Sequence, residues 1–495
     1  MNLALLTDLY QFTMMQGFYL AGKDKETTVF DRTYRTNPCQ GGYSLAVGLE
    51  HVIDYVQNLR FDADDIAYLK DLKIFRADFL DYLRSFSFTG DLWAVPEGTV
   101  VFPNEPILRV KAGRNECLLL ETALSMFLNH ESLIATRASR IKWAAKDDFL
   151  MEFGLRRAQG KDASLYGARA AYIGGFDATS NVLAGKMFGI PVVGTMAHSW
   201  VMSFDAEINA FRQYAEHYPD NLLVLVDTYD TLKSGVPNAI RLFKELLANG
   251  KLKEGSRYGI RLDSGDLAYL SKAAREMFDN AGLHEATISA SNDLDETIIS
   301  ELKIQGAKID AWGVGTRLIT SEGCSSFGGV YKLAAEVQTA GIIPKLKRSD
   351  NVEKITNPGI KKIFRVYDAK SGKITTDLVM LEEEKFLPKG DLVLEDKDHP
   401  WRRKTLLKGT YKVRELLFPV FLGGRCIYQK PTLANVKNYA AKELASLWEE
   451  SRRLLNAQIM KVNLSDSLYA LRKELLLSAE NHREGTETGG GAHYL

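Results

Sequence analysis

Cysteine is scarce and scattered in this chain. Four cysteines, at positions 39, 117, 324 and 426, are spread over 495 residues. No two stand at a spacing that forms a disulfide framework or a zinc knuckle, and a reducing, cytoplasmic compartment fits that usage. Net charge is missing too. The 63 basic residues cancel the 63 acidic ones, so no overall field draws nucleic acid or an anionic membrane, and any anionic ligand must be held by groups gathered locally. No apolar run approaches the ~18 residues of a membrane span. The opening stretch MNLALLTDLYQFTMM carries Asp8 inside its apolar run with no basic residue ahead of it, which argues against a secretory signal. Length is what the chain does have. Single cores stop growing at roughly 250–300 residues, so two or three domains are expected.

The texture changes three times. Residues 1–140 mix short helices and strands, an α+β domain in which Thr7 is expected to cap a helix over DLYQFTMMQGFYLAG. In the same region DLWAVPEGTVVFPNEPILRV alternates and is punctuated as β-structure. Residues 141–340 alternate short apolar runs (GIPVVGT, NLLVLVD, YGIRLD, ATISAS, DAWGVG) with helix-length amphipathic segments, which predicts βα units in an α/β barrel or parallel sheet. Residues 341–485 form a C-terminal region with strands and two helical patterns within 433–478, and the Gly-rich tail 486–495 is expected to be disordered.

Each central apolar run ends in polar or small residues: His198 and Ser199, Asp227, Arg261 and Asp263, Asn292 and Asp293, then Gly313-Val314-Gly315-Thr316. His198, Asp227, Asp263, Asn292 and Gly315 stand 29, 36, 29 and 23 residues apart, about one βα unit each. In a parallel sheet all strand C-termini open on one face, where such folds place their active sites. Gly313, Gly315 and Thr316 suit close approach to phosphate, or simply a tight turn. Asp263 and Asp293 suit sugar hydroxyls or a magnesium ion, or else cap the following helices. Arg261 offers a planar fork for a carboxylate or phosphate, or pairs with an aspartate. His198 reads as a core histidine or as a nucleophile or acid/base; no second ligand stands near enough in sequence for a metal site.

Seven segments, LTDLYQFTM (6–14), EFGLRRAQG (152–160), GGFDATSN (174–181), GTMAHS (194–199), RLDSGDL (261–267), SNDLDE (291–296) and WGVGTRL (312–318), taken in this order and at these spacings, resemble nicotinate phosphoribosyltransferases. The resemblance implies the type II phosphoribosyltransferase fold, an irregular α/β barrel with a flanking mixed α+β N-terminal domain and a C-terminal region. It implies conversion of nicotinate and 5-phosphoribosyl 1-pyrophosphate to nicotinate mononucleotide and pyrophosphate, the first step of NAD salvage from nicotinate, with Mg2+ required and ATP as co-substrate. His198 then corresponds to the histidine that ATP phosphorylates, with Asp227 near it. Arg261 and Thr195 correspond to residues holding the nicotinate carboxylate, and Tyr10 and Phe153 to those stacking on its ring. Thr179 and Ser180 belong to the base site, Ser180 standing where the nicotinamide-using relative has a carboxylate. Asp263 is implied at the ribose hydroxyls, Asn292 and Asp293 at the sugar phosphate or its metal, Gly313, Gly315 and Thr316 around the 5-phosphate, and Arg156 at the pyrophosphate. The metal ligands stay unassigned. A homodimer is implied, the N-terminal segment of one chain reaching the barrel of the other. A nicotinamide phosphoribosyltransferase, a magnesium-dependent sugar-phosphate barrel enzyme and a non-catalytic barrel protein remain alternatives, separated by nicotinate-dependent pyrophosphate release and by competition with nicotinamide.

Overall fold

The computed structural model describes residues 2–252, 256–351, 354–385, 390–395, 397, 399 and 401–487. They form two units, Leu133–Ser325 and a second made of Met1–Ser132 with Ser326–Leu495. The first is built on six strands: β1 (Phe149–Glu152), β2 (Ala178–Thr179), β3 (Asn221–Leu225), β4 (Arg257–Leu262), β5 (Thr287–Ser291) and β6 (Ala311–Val314). They pair in the order β2-β1-β6-β5-β4-β3, all parallel, and the sheet curls into an irregular half-barrel. The strands read as continuous apolar runs because helices cover them: Leu222, Val224, Leu225, Ile260, Leu262, Ile288, Ala290, Trp312 and Val314 are all buried. The intervening helices bury one stripe each. In Val236–Ala248 that stripe is Val236, Ala239, Leu242, Phe243 and Leu246, a helical period. Parallel pairing through helical crossovers brings every strand C-terminus to one edge.

The sequence GIPVVGT departs from expectation. Ile190-Pro191-Val192-Val193 is no strand of this sheet; Val192 makes a single parallel bridge to Thr179. Pro191 has no N–H to give a ladder, and it and Val192 are exposed. The strand at this place in the sheet is Ala178–Thr179, and the chain reaches His198 by a loop.

The second unit interleaves the two ends of the chain. Its seven-stranded sheet runs Gly341–Pro344, Gly329–Gln338, Thr27–Tyr34, Leu108–Gly113, Asp91–Ala94, Phe418–Leu422, Arg425–Cys426. The regions set apart in sequence before 140 and after 340 thus share one sheet, through antiparallel pairs such as Leu92 with Phe421, and the strand Gly329–Gln338 joins that sheet too. Helices Leu49–Asn58, Ala63–Asp71 and Ala77–Arg84 help bury a core including Phe12, Val52, Ile53, Phe79, Leu83 and Leu119. The first helix is Leu9–Leu20, with Asp8 rather than Thr7 at the cap position; the Thr122 hydroxyl donates to the Asp8 carboxylate at 2.9 Å, and the Thr7 hydroxyl instead meets that of Thr122. Residues 486 and 487 close the last helix, Asp466–Glu487; the rest of the tail, 488–495, lies outside the described residues.

A second, four-stranded sheet buries Arg365 against Asp377 and Glu443, the latter accepting from Nη1 at 2.9 Å. Glu105 lies beside this group. One of its oxygens accepts from Phe102 N–H at 3.0 Å, and the other is buried with no partner when ionised. Burial, then the Asp377 charge, hold its carboxyl well above the usual range, so the folded state binds a proton that the unfolded chain has released at neutral pH. Stability from this group is therefore present at acid pH and is lost as pH rises through the carboxylate range toward the raised value. Glu105→Gln keeps the shape and removes the titration. It is expected to raise Tm by roughly 2–4 °C at pH 8 and to match the parent at pH 4–5, as followed by calorimetry.

Candidate active site

The site is assembled at the C-terminal edge of the half-barrel. Arg261, near the end of β4, has its side chain 16% exposed. Its Nε donates to Ser291 Oγ at 3.0 Å, and Nη1 to Thr195 Oγ1 at 2.9 Å and to the Met196 carbonyl at 3.3 Å. Nη2 lies 3.0 Å from Asp263 Oδ1. Most of the fork is therefore committed to the protein, and one Nη2–H is left to reach a ligand. Thr195 enters from the loop that follows the bridge to β2, so one guanidinium ties that loop to the ends of β4 and β5.

Asp263 is the hub of the other half. Ser291 donates to its Oδ1, and its Oδ2 stands 3.8 Å from His198 Nε2. Burial opposes its charge, but the hydrogen bond from Ser291, the Arg261 guanidinium and His198 together outweigh burial and hold the carboxyl below the usual aspartate value. It does not cap the following helix. Asp266 does so, accepting from Tyr269 N–H, and Asp295, not Asp293, caps the next one. Asp263 and Asp293 are thereby left for other work.

His198 opens the short helix His198–Met202, half-buried, with Nδ1 3.1 Å from Thr228 Oγ1. Asp227 is directed elsewhere: its Oδ2 accepts from Asp263 N–H at 2.9 Å and Ser264 Oγ at 2.6 Å, and its Oδ1 is buried without a partner. Trp200 is a packing residue, donating to the Ala210 carbonyl and lying against Phe204 and Tyr214.

The Phe153 ring comes from the turn after β1. A Cβ at Gly313 would meet two of its ring carbons at 2.6 Å and Ser291 Cβ at 3.3 Å. Gly313 is glycine to admit this ring. The ring thus lies over the end of β6, one residue from the serine that holds Arg261. Gly315 faces the Phe153 carbonyl in the same way, and Thr316 begins the short helix Thr316–Ile319. Asn292 and Asp293 have φ of 93° and 37°, consecutive left-handed positions that non-glycine residues adopt at a cost and that cluster at functional sites. Arg156 is exposed in the turn Leu155–Arg157. Ser180 is half-buried after β2. Thr179 is fully buried, its hydroxyl given to Glu152 at 2.6 Å, so it supports the site without facing a ligand. Tyr10 belongs to the other unit, 48% exposed on helix Leu9–Leu20.

Sequence reasoning missed Ser291, Thr228, Ser264 and Glu152. Ser291 had a signal: Arg261 pairs in register with Ser289 on β5, and two residues on, the serine side chain returns to the same face. The others have none, for serine, threonine and glutamate next to a strand end are everyday loop residues.

A curled parallel sheet whose strand ends gather a cation, carboxylates, a histidine and glycine turns defines the class: this is the type II phosphoribosyltransferase fold. Models of the nicotinate phosphoribosyltransferase N-terminal domain, family domain and C-terminal domain match residues 5–129, 149–335 and 360–472. The chain is 42% identical over 486 residues to the nicotinate phosphoribosyltransferase of Bacillus subtilis (strain 168), covering 98% of this chain and 97% of that one. It is 36% identical to that of Caenorhabditis elegans, covering 96% and 93%. The crystal structure of human nicotinic acid phosphoribosyltransferase superposes with a TM-score of 0.80 at 30% identity, covering 95% of this chain and all of that one. The chain belongs to the nicotinate phosphoribosyltransferase family. Among the described residues no helix is long and apolar enough to cross a membrane.

Proposed function

We propose that the protein transfers the 5-phosphoribosyl group of 5-phosphoribosyl 1-pyrophosphate to the ring nitrogen of nicotinate, releasing nicotinate mononucleotide and pyrophosphate. One observation carries the reading: an aromatic ring, Phe153, after β1 and a guanidinium, Arg261, on β4 are linked across the two strands between them, the ring lying on Gly313 of β6 and the guanidinium donating to Ser291 of β5, which pair in register. A flat aromatic acid asks for that pair, a ring face for its body and a fixed cation near its carboxylate. Ser180 adds selectivity, because a carboxylate there would repel nicotinate while accepting an amide N–H.

The reaction needs no general base. The pyridine nitrogen attacks C1 of the sugar with a lone pair that carries no proton, the C1–O bond to pyrophosphate breaks, and the positive charge finishes on the ring nitrogen. Catalysis is then positional and electrostatic. In this reading Asp263 accepts from the ribose hydroxyls, Asn292 donates to the sugar phosphate while Asp293, an acceptor only, would meet it through its metal, the amide of Gly315 and the hydroxyl of Thr316 take the 5-phosphate, and exposed Arg156 meets the pyrophosphate. The donor set suits magnesium. The unpartnered buried Oδ1 of Asp227 beside Asp263 offers hard oxygens, and with no cluster of three metal-ligating side chains among the described residues, substrate phosphates and water would complete the shell. Bound there, the ion would neutralise the departing pyrophosphate.

His198 is proposed to accept the γ-phosphoryl group of ATP: a P–N bond forms, the γ-phosphorus–oxygen bond breaks, and ADP leaves. About two negative charges then appear beside Asp263, which shifts substrate and product affinities and so favours net synthesis. Replacing His198 with Asn is expected to abolish acid-labile labelling from γ-labelled ATP and all stimulation by ATP, while ATP-independent synthesis stays within about tenfold of the parent. Labelling of the variant equal to that of the parent would refute the assignment. We further propose a homodimer in which Tyr10 of one chain closes over the ring site of its partner. Exposed Leu9, Tyr10 and Met14 in one unit, and exposed Leu155, Val182, Leu183 and Met187 in the other, support it.

A further inference from the structure

We infer that Glu152 is a positioning residue whose buried carboxylate sets, through Gly154 and Thr179, the two loops that carry Phe153 and Arg156 on one side and Ser180 on the other. The inference rests on the base site proposed above. Glu152 ends β1 and is 1% exposed. A carboxylate taken out of water needs a cation or a full set of hydrogen bonds, and among the described residues no lysine or arginine pairs with it. What it has is two donors. Oε1 accepts from Gly154 N–H, and Oε2 accepts from the Thr179 hydroxyl at 2.6 Å.

Each donor leads into a loop of the site. Gly154 follows Phe153, and the turn is pressed onto the carboxylate: a Cβ at Gly154 would meet Ile319 Cβ at 2.5 Å and Glu152 Oε1 at 2.8 Å. Phe153 N–H is held by the Val314 carbonyl at 2.8 Å, so its backbone is tied on both sides before its ring reaches Gly313. On the other arm, Thr179 Oγ1 accepts from Asn181 N–H at 3.0 Å, and Ser180 N–H donates to the Glu152 carbonyl at 2.9 Å. The Asn181 side chain caps the helix that follows, accepting from Ala184 N–H. One residue thus fixes the ring-bearing turn and the serine that meets the base's substituent, touching neither substrate.

The chemistry explains why the group is an acid. Both neighbours donate, and a carboxylate accepts at both ends, whereas an amide would present N–H to one of them. Were Thr179 to accept from an amide with its second lone pair, its own buried hydrogen would lose the acceptor that Oε2 now provides. Burial holds the Glu152 carboxyl above the usual carboxylate range, and the hydrogen bonds from Thr179 and Gly154 N–H offset only part of that rise.

The test compares the full-length parent with Glu152→Gln, Thr179→Val and Thr179→Ser, using nicotinate and nicotinamide in turn as the base, with Tm and amide hydrogen exchange of peptides spanning 153–157 and 180–182 as independent readings. The expected result is that Glu152→Gln and Thr179→Val raise KM for nicotinate about 10- to 100-fold, narrow the preference for nicotinate over nicotinamide, and speed exchange in those two segments, while Thr179→Ser restores all three. Parental KM in both variants, or a fall in kcat alone that tracks lost folded protein, overturns the inference. If the parent itself makes no nicotinate mononucleotide, the proposed function fails. The exchange data then decide this inference separately: faster exchange confined to the two loops upholds the positioning role, and unchanged exchange overturns it.

Discussion

Arg261→Ala is expected to lower kcat/KM for nicotinate by about 10³-fold, with most of the loss in KM. Truncation removes a cation and contacts to four residues, Ser291, Thr195, Met196 and Asp263. Charge-assisted hydrogen bonds contribute roughly 1.5–3 kcal/mol each at buried sites, and losing the ligand's counter-charge adds to this. Arg261→Lys should recover little, since one ammonium cannot reach Ser291, Thr195 and Asp263 together. Steady-state kinetics with calorimetry on the same preparations check it. A variant with near-parental KM would mean that the guanidinium only braces the strand ends.

Asp263→Asn comes next, with kcat expected to fall about 10²–10³-fold. The amide keeps the volume but loses the charge that balances Arg261 and faces His198 at 3.8 Å. ATP stimulation should weaken in the same variant, because His198 loses its nearest carboxylate. The pH dependence has a fixed sign. Asp263 titrates below its ordinary value in the folded protein, so the stability it contributes is complete above the unfolded value, about 3.9, and disappears as pH falls through the lower folded value. The stability gap between parent and Asp263→Asn should therefore be full at pH 7 and close below about pH 4, as followed by thermal melts across that range.

The parts of this site that could be read from sequence are those where a local pattern and a global rule coincide. Asp227, Arg261 with Asp263, Asn292 with Asp293, and Gly313 to Thr316 each follow an apolar run at βα spacing, and the parallel sheet does gather those strand ends. His198 followed the same rule for a different reason. Its preceding run is broken by Pro191, and the nearby strand is the two-residue Ala178–Thr179, too short to leave a periodic signature. Gly313 looked like a phosphate-loop glycine, whereas the space it leaves is filled by the Phe153 ring. Thr7 and Asp8 are both cap formers in adjacent positions, and Thr122 binds both of their side chains, so the residue type alone does not separate them. The interleaving of N- and C-terminal strands was out of reach altogether: a pair such as Leu92 with Phe421 is set by long-range packing, and neither strand records its partner. Glu152 escaped because its role depends on what surrounds it after folding, a threonine hydroxyl from the neighbouring strand and a glycine amide from the turn that follows.

The central claim is that this half-barrel joins nicotinate to a phosphoribosyl group and that His198 couples ATP to the exchange. It is tested most directly by following nicotinate-dependent pyrophosphate release from 5-phosphoribosyl 1-pyrophosphate with magnesium, with and without ATP. Pyrophosphate and nicotinate mononucleotide are expected to appear in equal amounts, with a higher yield when ATP is present and poor competition by nicotinamide. No release on adding nicotinate, or release with nicotinamide in its place, would contradict the claim.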